Sequence, residues 1–253
     1  MSMRAIILAA GRGLRLQQPE NQQLPKCLLR FADHSLLERH LLLLQKAGIR
    51  EIVLALGFRH ELVDAELGRL NWIQRPTIVI NERYELGSML TVHCVADAMT
   101  KGGDVLLMDA DVLYDERILN PLIAGSRTVD RLLIDQNFEA GDEPVKVCVR
   151  DGAVVEFRKK VAADLQYDTV GESIGFYRYS QSGARRLAEL IAGYIDRGLT
   201  DLPHEEAIRD QLLERGRPFE VTDVTGAPWL EIDFVEDIAR AKRDVLPQLH
   251  PLA

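Results

Sequence analysis

Three short stretches of this 253-residue chain carry side chains suited to phosphate and metal chemistry. In LAAGRGLRL, at 8–16, Gly11 and Gly13 end an apolar run, with Arg12 and Arg15 beside them. Glycine lets backbone amides come close to a phosphate, and the arginine forks can clamp its charge. Lys26, placed after Pro25, adds a compact ammonium. In LLMDADV, at 106–112, Asp109 and Asp111 are two residues apart where an apolar strand runs out, a spacing that puts both on one face. The same spacing recurs as Glu231 and Asp233 in WLEIDFVEDI, at 229–238. Magnesium prefers a few carboxylates completed by water and phosphate oxygens. The first two stretches together therefore suit a nucleoside triphosphate and its metal. The third, taken alone, reads more readily as the start of a helix.

Two common phosphate motifs are excluded. There is no G-x-x-x-x-G-K-[ST], so the loop is not a P-loop, and Leu16 follows Arg15 where the dinucleotide fingerprint needs its third glycine. A regulatory nucleotide-binding module and an NAD-type oxidoreductase are the competing classes. The presence of Lys26 and Asp111 argues against the first, and the missing glycine against the second.

These residues must be held by an α/β framework. Apolar runs of strand length at 4–10, 51–57, 75–81 and 104–111 alternate with helical patterns, which predicts a parallel sheet covered on both faces. SLLERHLLLLQKAG, at 35–48, has an N-cap serine, a glutamate three residues on and a glycine stop. Segments 58–70 and 87–99 read as the next crossover helices. Asp151-Gly152 between alternating segments predicts a hairpin. Helices follow near 181–198 and 203–216, then a strand FEVTDV and a closing helix from about 234. Gly11 and Gly13 then fall at the carboxyl end of the first strand, where open α/β sheets bind ligands.

Composition narrows the partners. With 47% hydrophobic residues the chain can bury a large core, and a net charge of −8 leaves no basic field for nucleic acid. No apolar run reaches the length of a membrane span, so a cytoplasmic location is expected. Cys27, Cys94 and Cys148 lack zinc or disulfide spacing and read as buried thiols. His204, before Glu205-Glu206, reads as a surface helix residue.

LAAGRGLRL, PKCLL and LLMDADV together resemble the nucleotidyltransferases that condense an NTP with a phosphorylated acceptor and release pyrophosphate. The resemblance runs from residue 4 to about 243 and implies a Rossmann-like, GT-A type α/β fold: a mostly parallel central sheet flanked by helices. It implies one domain over 1–253, with the nucleotide half at about 1–128 and the acceptor half at about 129–253, and it leaves a homodimer open. By the resemblance, Leu8, Ala9, Ala10, Gly11 and Gly13 wrap the nucleotide, and Arg15 and Lys26 act on the reacting phosphates. Asp111 and Asp233 would hold Mg²⁺, with Asp109 in support on the nucleotide side.

Within that family NERY, KVCVRDGAVVEFRKK, GESIGFYRYS and WLEIDFVEDI look most like the small cytidylyltransferases acting on phosphocholine, aminoethylphosphonate and related acceptors. Asn81, Glu82, Gly87 and Ser88 would meet the base. A carboxylate or carbonyl facing the cytosine amino group favours CTP. Leu86-Gly87-Ser88 departs from that branch's pattern toward uridylyl and thymidylyl relatives, so sugar-1-phosphate or inositol-1-phosphate transfer with UTP, dTTP or CTP is the alternative. Lys146, Lys160, Glu172, Tyr177, Trp229 and Glu231 are the expected acceptor contacts.

Overall fold

The computed structural model describes residues 3–16, 23–72, 74–216 and 219–252. Its strands are β1 (Met3–Ala9), β2 (Arg30–Phe31), β3 (His34–Ser35), β4 (Glu51–Leu56), β5 (Thr77–Ile80), β6 (Asp104–Asp109) and β7 (Val112–Tyr114). They continue with β8 (Asp130–Asp135), β9 (Lys146–Arg150), β10 (Ala153–Arg158), β11 (Thr169–Tyr179), β12 (Phe219–Asp223) and β13 (Trp229–Glu231). The helices are α1 (Leu36–Lys46), α2 (His60–Arg69), α3 (Ser88–Cys94) and α4 (Ala96–Thr100), then α5 (Glu116–Ile123), α6 (Gln181–Asp196), α7 (Glu205–Leu212) and α8 (Val235–Arg240).

The main sheet runs β10-β9-β11-β6-β1-β4-β5, with β8 beside β11 and β12 beside β8. β5, β4, β1 and β6 are all parallel, and β11 joins β6 antiparallel with Phe176 opposite Met108. Alternation along the strands sorts the core. Ile7, Leu54 and Met108 pack with Leu41 of α1, Val63 of α2 and Ile118 of α5 on one face. Ile6, Val53 and Leu107 pack with Val92 of α3, Leu187 of α6 and Ile208 of α7 on the other. Side chains of period two feed both layers, which is why these strands read as unbroken apolar runs.

The predicted local signals have physical counterparts. Ser35 caps α1 by accepting from the Glu38 amide at 3.2 Å. Asp151 and Gly152 turn with φ of 52° and 76°, the left-handed pair that matches a twisted hairpin. The helix expected over 87–99 is broken at Val95, which leaves two short helices. Cys94, expected to be a buried thiol, ends the first of them and is exposed, whereas Cys27 and Cys148 are buried. Among the described residues no helix is long and apolar enough to cross a membrane.

A buried cation fastens β11 to the parallel strands. Arg178 is fully buried and donates to the Ala124 and Ser126 carbonyls, each at 2.9 Å, and to Asp104 at 3.2 Å. Arg178→Leu would strip these acceptors at once and is expected to cost about 3–5 kcal/mol of unfolding free energy in a urea titration. A loss within about 0.5 kcal/mol would show that the site relaxes around the missing charge.

Candidate active site

The first strand ends in a loop shaped for close approach. β1 stops at Ala9, and the Ala10 carbonyl turns to β4's end, accepting from the Phe58 amide at 3.0 Å. Gly13 has φ +61°, and a Cβ there would sit 3.0 Å from Lys26 Cγ, so glycine lets the lysine stem lie across the loop. The resulting cavity of about 430 Å³ is lined by Leu8, Ala9, Gly11, Arg12, Gly13, Leu14 and Arg15, with Lys26, Cys27, Tyr84, Glu85, Ala110 and Asp111 opposite.

At its mouth three chain segments meet on one ammonium. Lys26 Nζ lies 2.8 Å from Asp111 Oδ2 and 2.6 Å from Asp233 Oδ1. Arg15 reaches the same Asp233 oxygen at 2.8 Å and lies over the Phe234 ring, 5.0 Å from its centre. Pairing of β13 with β7, Glu231 opposite Val112, carries the C-terminal acids beside Asp111. Oxygens of Asp111, Glu231 and Asp233 all lie within 4.8 Å of one another. Burial alone would lower the Lys26 pKa, but Asp111 and Asp233 outweigh it and hold the ammonium charged. Burial, then the neighbouring Asp111, Asp233 and Asp109, pushes the Glu231 carboxyl well above the usual range. Three hard oxygen donors with such mutual repulsion fit a magnesium ion. Glu231, expected at the acceptor, thus stands with this acid group as well as on the acceptor side.

A second cavity of about 340 Å³ includes Glu231 and Asp233 in its wall, and Asp233 is ion-paired to Arg15 and Lys26 of the first. Glu172 and Trp229 line it, together with Asp135, the 137–144 segment, Phe234, Asp237 and Arg240. Trp229 Nε1 donates to Asp135 at 2.8 Å. The Glu172 carboxylate has no hydrogen-bond partner among the described residues, and burial, then Asp135, pushes its carboxyl up to about 7.

Several expected contacts are not brought here. Tyr177 is 2% exposed in the core, with its hydroxyl 3.0 Å from Ser173 Oγ, because β11 points it beneath the sheet. Lys146 donates to the Gly141 and Lys159 carbonyls at 2.7 and 2.6 Å, closing a loop instead of facing a ligand. Lys160 pairs with Asp142 in solvent. Asn81 is buried, its amide donating to Thr91 at 3.0 Å and its oxygen accepting from the Arg83 amide at 3.0 Å, as an Asx turn requires. Glu82 is exposed, and Tyr84 and Glu85 line the cavity in their place. Ala10 is buried behind the loop.

Gly87 and Ser88 face another segment of chain. A Cβ on Gly87 would come within 3.1 Å of the backbone at 200–202. Ser88 Oγ accepts from the His204 amide at 2.9 Å and lies 3.0 Å from His204 Nδ1. His204, expected on a surface helix, is 4% exposed and 3.1 Å from Glu205. Burial would lower its pKa, but Glu205 raises it to about 9. Asp109 ends β6 against Gly175, makes no hydrogen bond to Lys26 among the described residues, and has its carboxyl raised by burial. The acids before Lys146, Asp142 and Glu143, read from the sequence as acceptor-side residues, but motif reading missed Lys159, whose ion pair with Glu143 at 3.1 Å sits beside Arg15. No spacing rule marks Lys159.

Residues 5–171 match the MobA-like NTP transferase domain family. The chain is 26% identical to a CTP:phosphoglutamine cytidylyltransferase of Campylobacter jejuni over 93% of this chain and 98% of that one. An inositol-1-phosphate CTP transferase of T. maritima superposes with a TM-score of 0.77 at 20% identity, covering 98% of both chains. A CTP:phosphocholine cytidylyltransferase of Streptococcus pneumoniae superposes at 0.75 with 21% identity, over 96% of this chain and 98% of that one. These two likenesses bear on the fold, which is that of the GT-A-like nucleotidyltransferases.

Lys26→Met removes the cation shared by Asp111 and Asp233. In metal-free buffer its melting temperature is expected to fall below that of the native chain, and millimolar Mg²⁺ should raise it by more than it raises the native protein. The double variant with Asp111→Asn should lose that extra rise. Equal responses in all three thermal scans would remove the cation site.

Proposed function

The chain belongs to the MobA-like NTP transferase domain family, and we propose that within it the protein is a magnesium-dependent cytidylyltransferase. The acceptor is a small phosphate or phosphonate bearing an amine, of the aminoethylphosphonate or phosphocholine type. The observation that carries this reading is Lys26 held between Asp111 and Asp233 at the junction of two cavities. The Campylobacter jejuni relative is named for CTP, and so are the two solved structures described above, whereas their three acceptors differ. That pattern supports CTP over UTP or dTTP.

The acceptor's phosphate oxygen is already anionic near neutral pH, so attack on the α-phosphorus needs no general base, and pyrophosphate leaves. The amides of the Gly11–Gly13 loop seat the triphosphate. Arg15 and Lys26 align the reacting phosphates and offset charge that builds up between them. Mg²⁺, held by Asp111 and Asp233 with Glu231 beside them, would neutralise phosphate oxygens when bound. Residues of about 1–128 serve the nucleotide and those of about 129–253 the acceptor, within a single domain.

The acceptor side explains the amine. Its cavity carries Asp135, Glu139, Asp142, Glu143, Glu172 and Asp237, with Arg240 as its one basic lining residue among those described. An anionic acceptor entering such a lining needs a positive end to face it. Glu172 beside Trp229 supplies a carboxylate and an aromatic face for an ammonium. A polyol phosphate is the second reading, favoured by the inositol-1-phosphate neighbour.

Pyrophosphate release is to be measured for CTP, UTP and dTTP against aminoethylphosphonate, phosphocholine, inositol-1-phosphate and glucose-1-phosphate. CTP with an amino acceptor should give the highest kcat/KM. A tenfold preference for the sugar phosphate would overturn the acceptor, and a preference for UTP or dTTP would overturn the base.

Glu172→Gln should raise the amino acceptor's KM roughly tenfold with a smaller change in kcat. The sign of the pH effect follows from a carboxyl raised from 4.5 to about 7. Between those values the folded chain keeps a proton that the unfolded chain has lost, so stability falls as pH rises through the window. Ammonium pairing needs the ionised form, so acceptor affinity should instead increase from pH 6 to 8. Glu172→Gln should flatten both trends.

A further inference from the structure

Two carboxylates of the acceptor cavity, Asp233 and Glu143, hold Arg15 of the nucleotide loop. Glu143 belongs to the segment between β8 and β9 that lines the acceptor cavity. Its Oε2 lies 2.7 Å from Arg15 Nη1 and 3.1 Å from Lys159 Nζ. Arg15 Nη2 is engaged by Asp233 at 2.8 Å. Both terminal nitrogens of the guanidinium that lines the nucleotide cavity are therefore committed to carboxylates.

A triphosphate seated on the 11–15 loop competes for the same nitrogens, since phosphate and carboxylate both suit the guanidinium fork. The two carboxylates do not yield equally. Asp233 is 14% exposed and also fastened by Lys26. The Glu143 side chain is 54% exposed, and its other partner is Lys159, itself 45% exposed. Ion pairs with that much solvent contact are weak and readily exchanged. The contact to Glu143 is the one that breaks.

We propose that Glu143 is a positioning residue that parks Arg15 against the acceptor wall until the triphosphate displaces it. Displacement frees the 137–144 segment from the nucleotide loop at the moment Arg15 turns to phosphate. The two sites are thereby coupled: what releases Glu143 on one side alters the wall of the other, and the effect is reciprocal in binding free energy. This rests on the proposed function only in taking the 11–15 loop as a triphosphate seat. Its coupling arm also takes the 137–144 wall as the acceptor side, but it does not depend on the base.

The test is calorimetric binding of inorganic tripolyphosphate and of a non-hydrolysable CTP analogue, each with Mg²⁺, to the native protein and to Glu143→Gln. Because Glu143 is exposed on a loop, the variant should fold, and a melting scan confirms it. Removing the competing charge should tighten both ligands about two- to fivefold, the worth of an exposed ion pair, with the gain shrinking at high salt. In the native protein aminoethylphosphonate should bind more tightly once the analogue is present, and Glu143→Gln should reduce that enhancement. Unchanged or weaker tripolyphosphate binding by the variant overturns the proposal. So does failure of both polyphosphates to bind the native protein. If tripolyphosphate tightens as expected while the CTP analogue binds no better than its UTP counterpart, the assignment of the base fails and the role of Glu143 stands.

Discussion

The site is organised around the Lys26 ammonium. Asp111 lies in the turn between β6 and β7, Asp233 follows the last strand, and Lys26 comes from the loop after the first strand, yet both carboxylates lie within 2.8 Å of one nitrogen. Without a cation there, Asp111, Glu231 and Asp233 would repel one another at close range in a half-buried setting. The neighbouring geometry follows from this. Gly13 leaves room for the lysine stem, β13 pairs with β7 to deliver the acids, and Arg15 takes the remaining approach to Asp233.

A second charged assembly lies under the first and is structural in character. Buried His204 pairs with the partly exposed Glu205 and reaches back to Ser88 at the start of α3. It joins the segment before α7 to the segment after β5. The acidic balance of the chain is thus spent locally: some carboxylates are neutralised in pairs such as this, while Glu172 is left unpaired among the described residues in the cavity beside the reaction centre.

How much was legible in the sequence depended on the range of the interaction. The parallel strands, the Ser35 cap and the Asp151-Gly152 hairpin are local, set by side-chain period and by backbone conformations that few residues adopt. Gly13, Lys26 and Asp111 were readable because their spacing belongs to a loop and a strand end. What failed was orientation across elements. Tyr177 and Asn81 lie in the right segments but point inward, since strand parity at the switch from β6 to β11 and an Asx turn decide where they face. His204 looked like a surface residue because its partner Ser88 is 116 positions away. Lys159 was invisible, and so was the contact of Glu143 with Arg15, which spans 128 positions.

The pairing of β13 with β7 has a further consequence for how the protein comes into being. Lys26 and Asp233 are separated by 207 residues, and Asp233 is brought into place by a strand that can form only against Val112–Tyr114. A growing chain therefore passes through a stage in which the glycine loop, Lys26 and Asp111 have all been made and the parallel sheet can fold, while the acid group is still one strand short. At translation rates of about 5–20 residues per second that stage lasts on the order of seconds. During it the half-built cleft holds Lys26 against Asp111 alone, with Glu231 and Asp233 still missing from the acid group. Nucleotide can meet the nascent protein before that protein can transfer it.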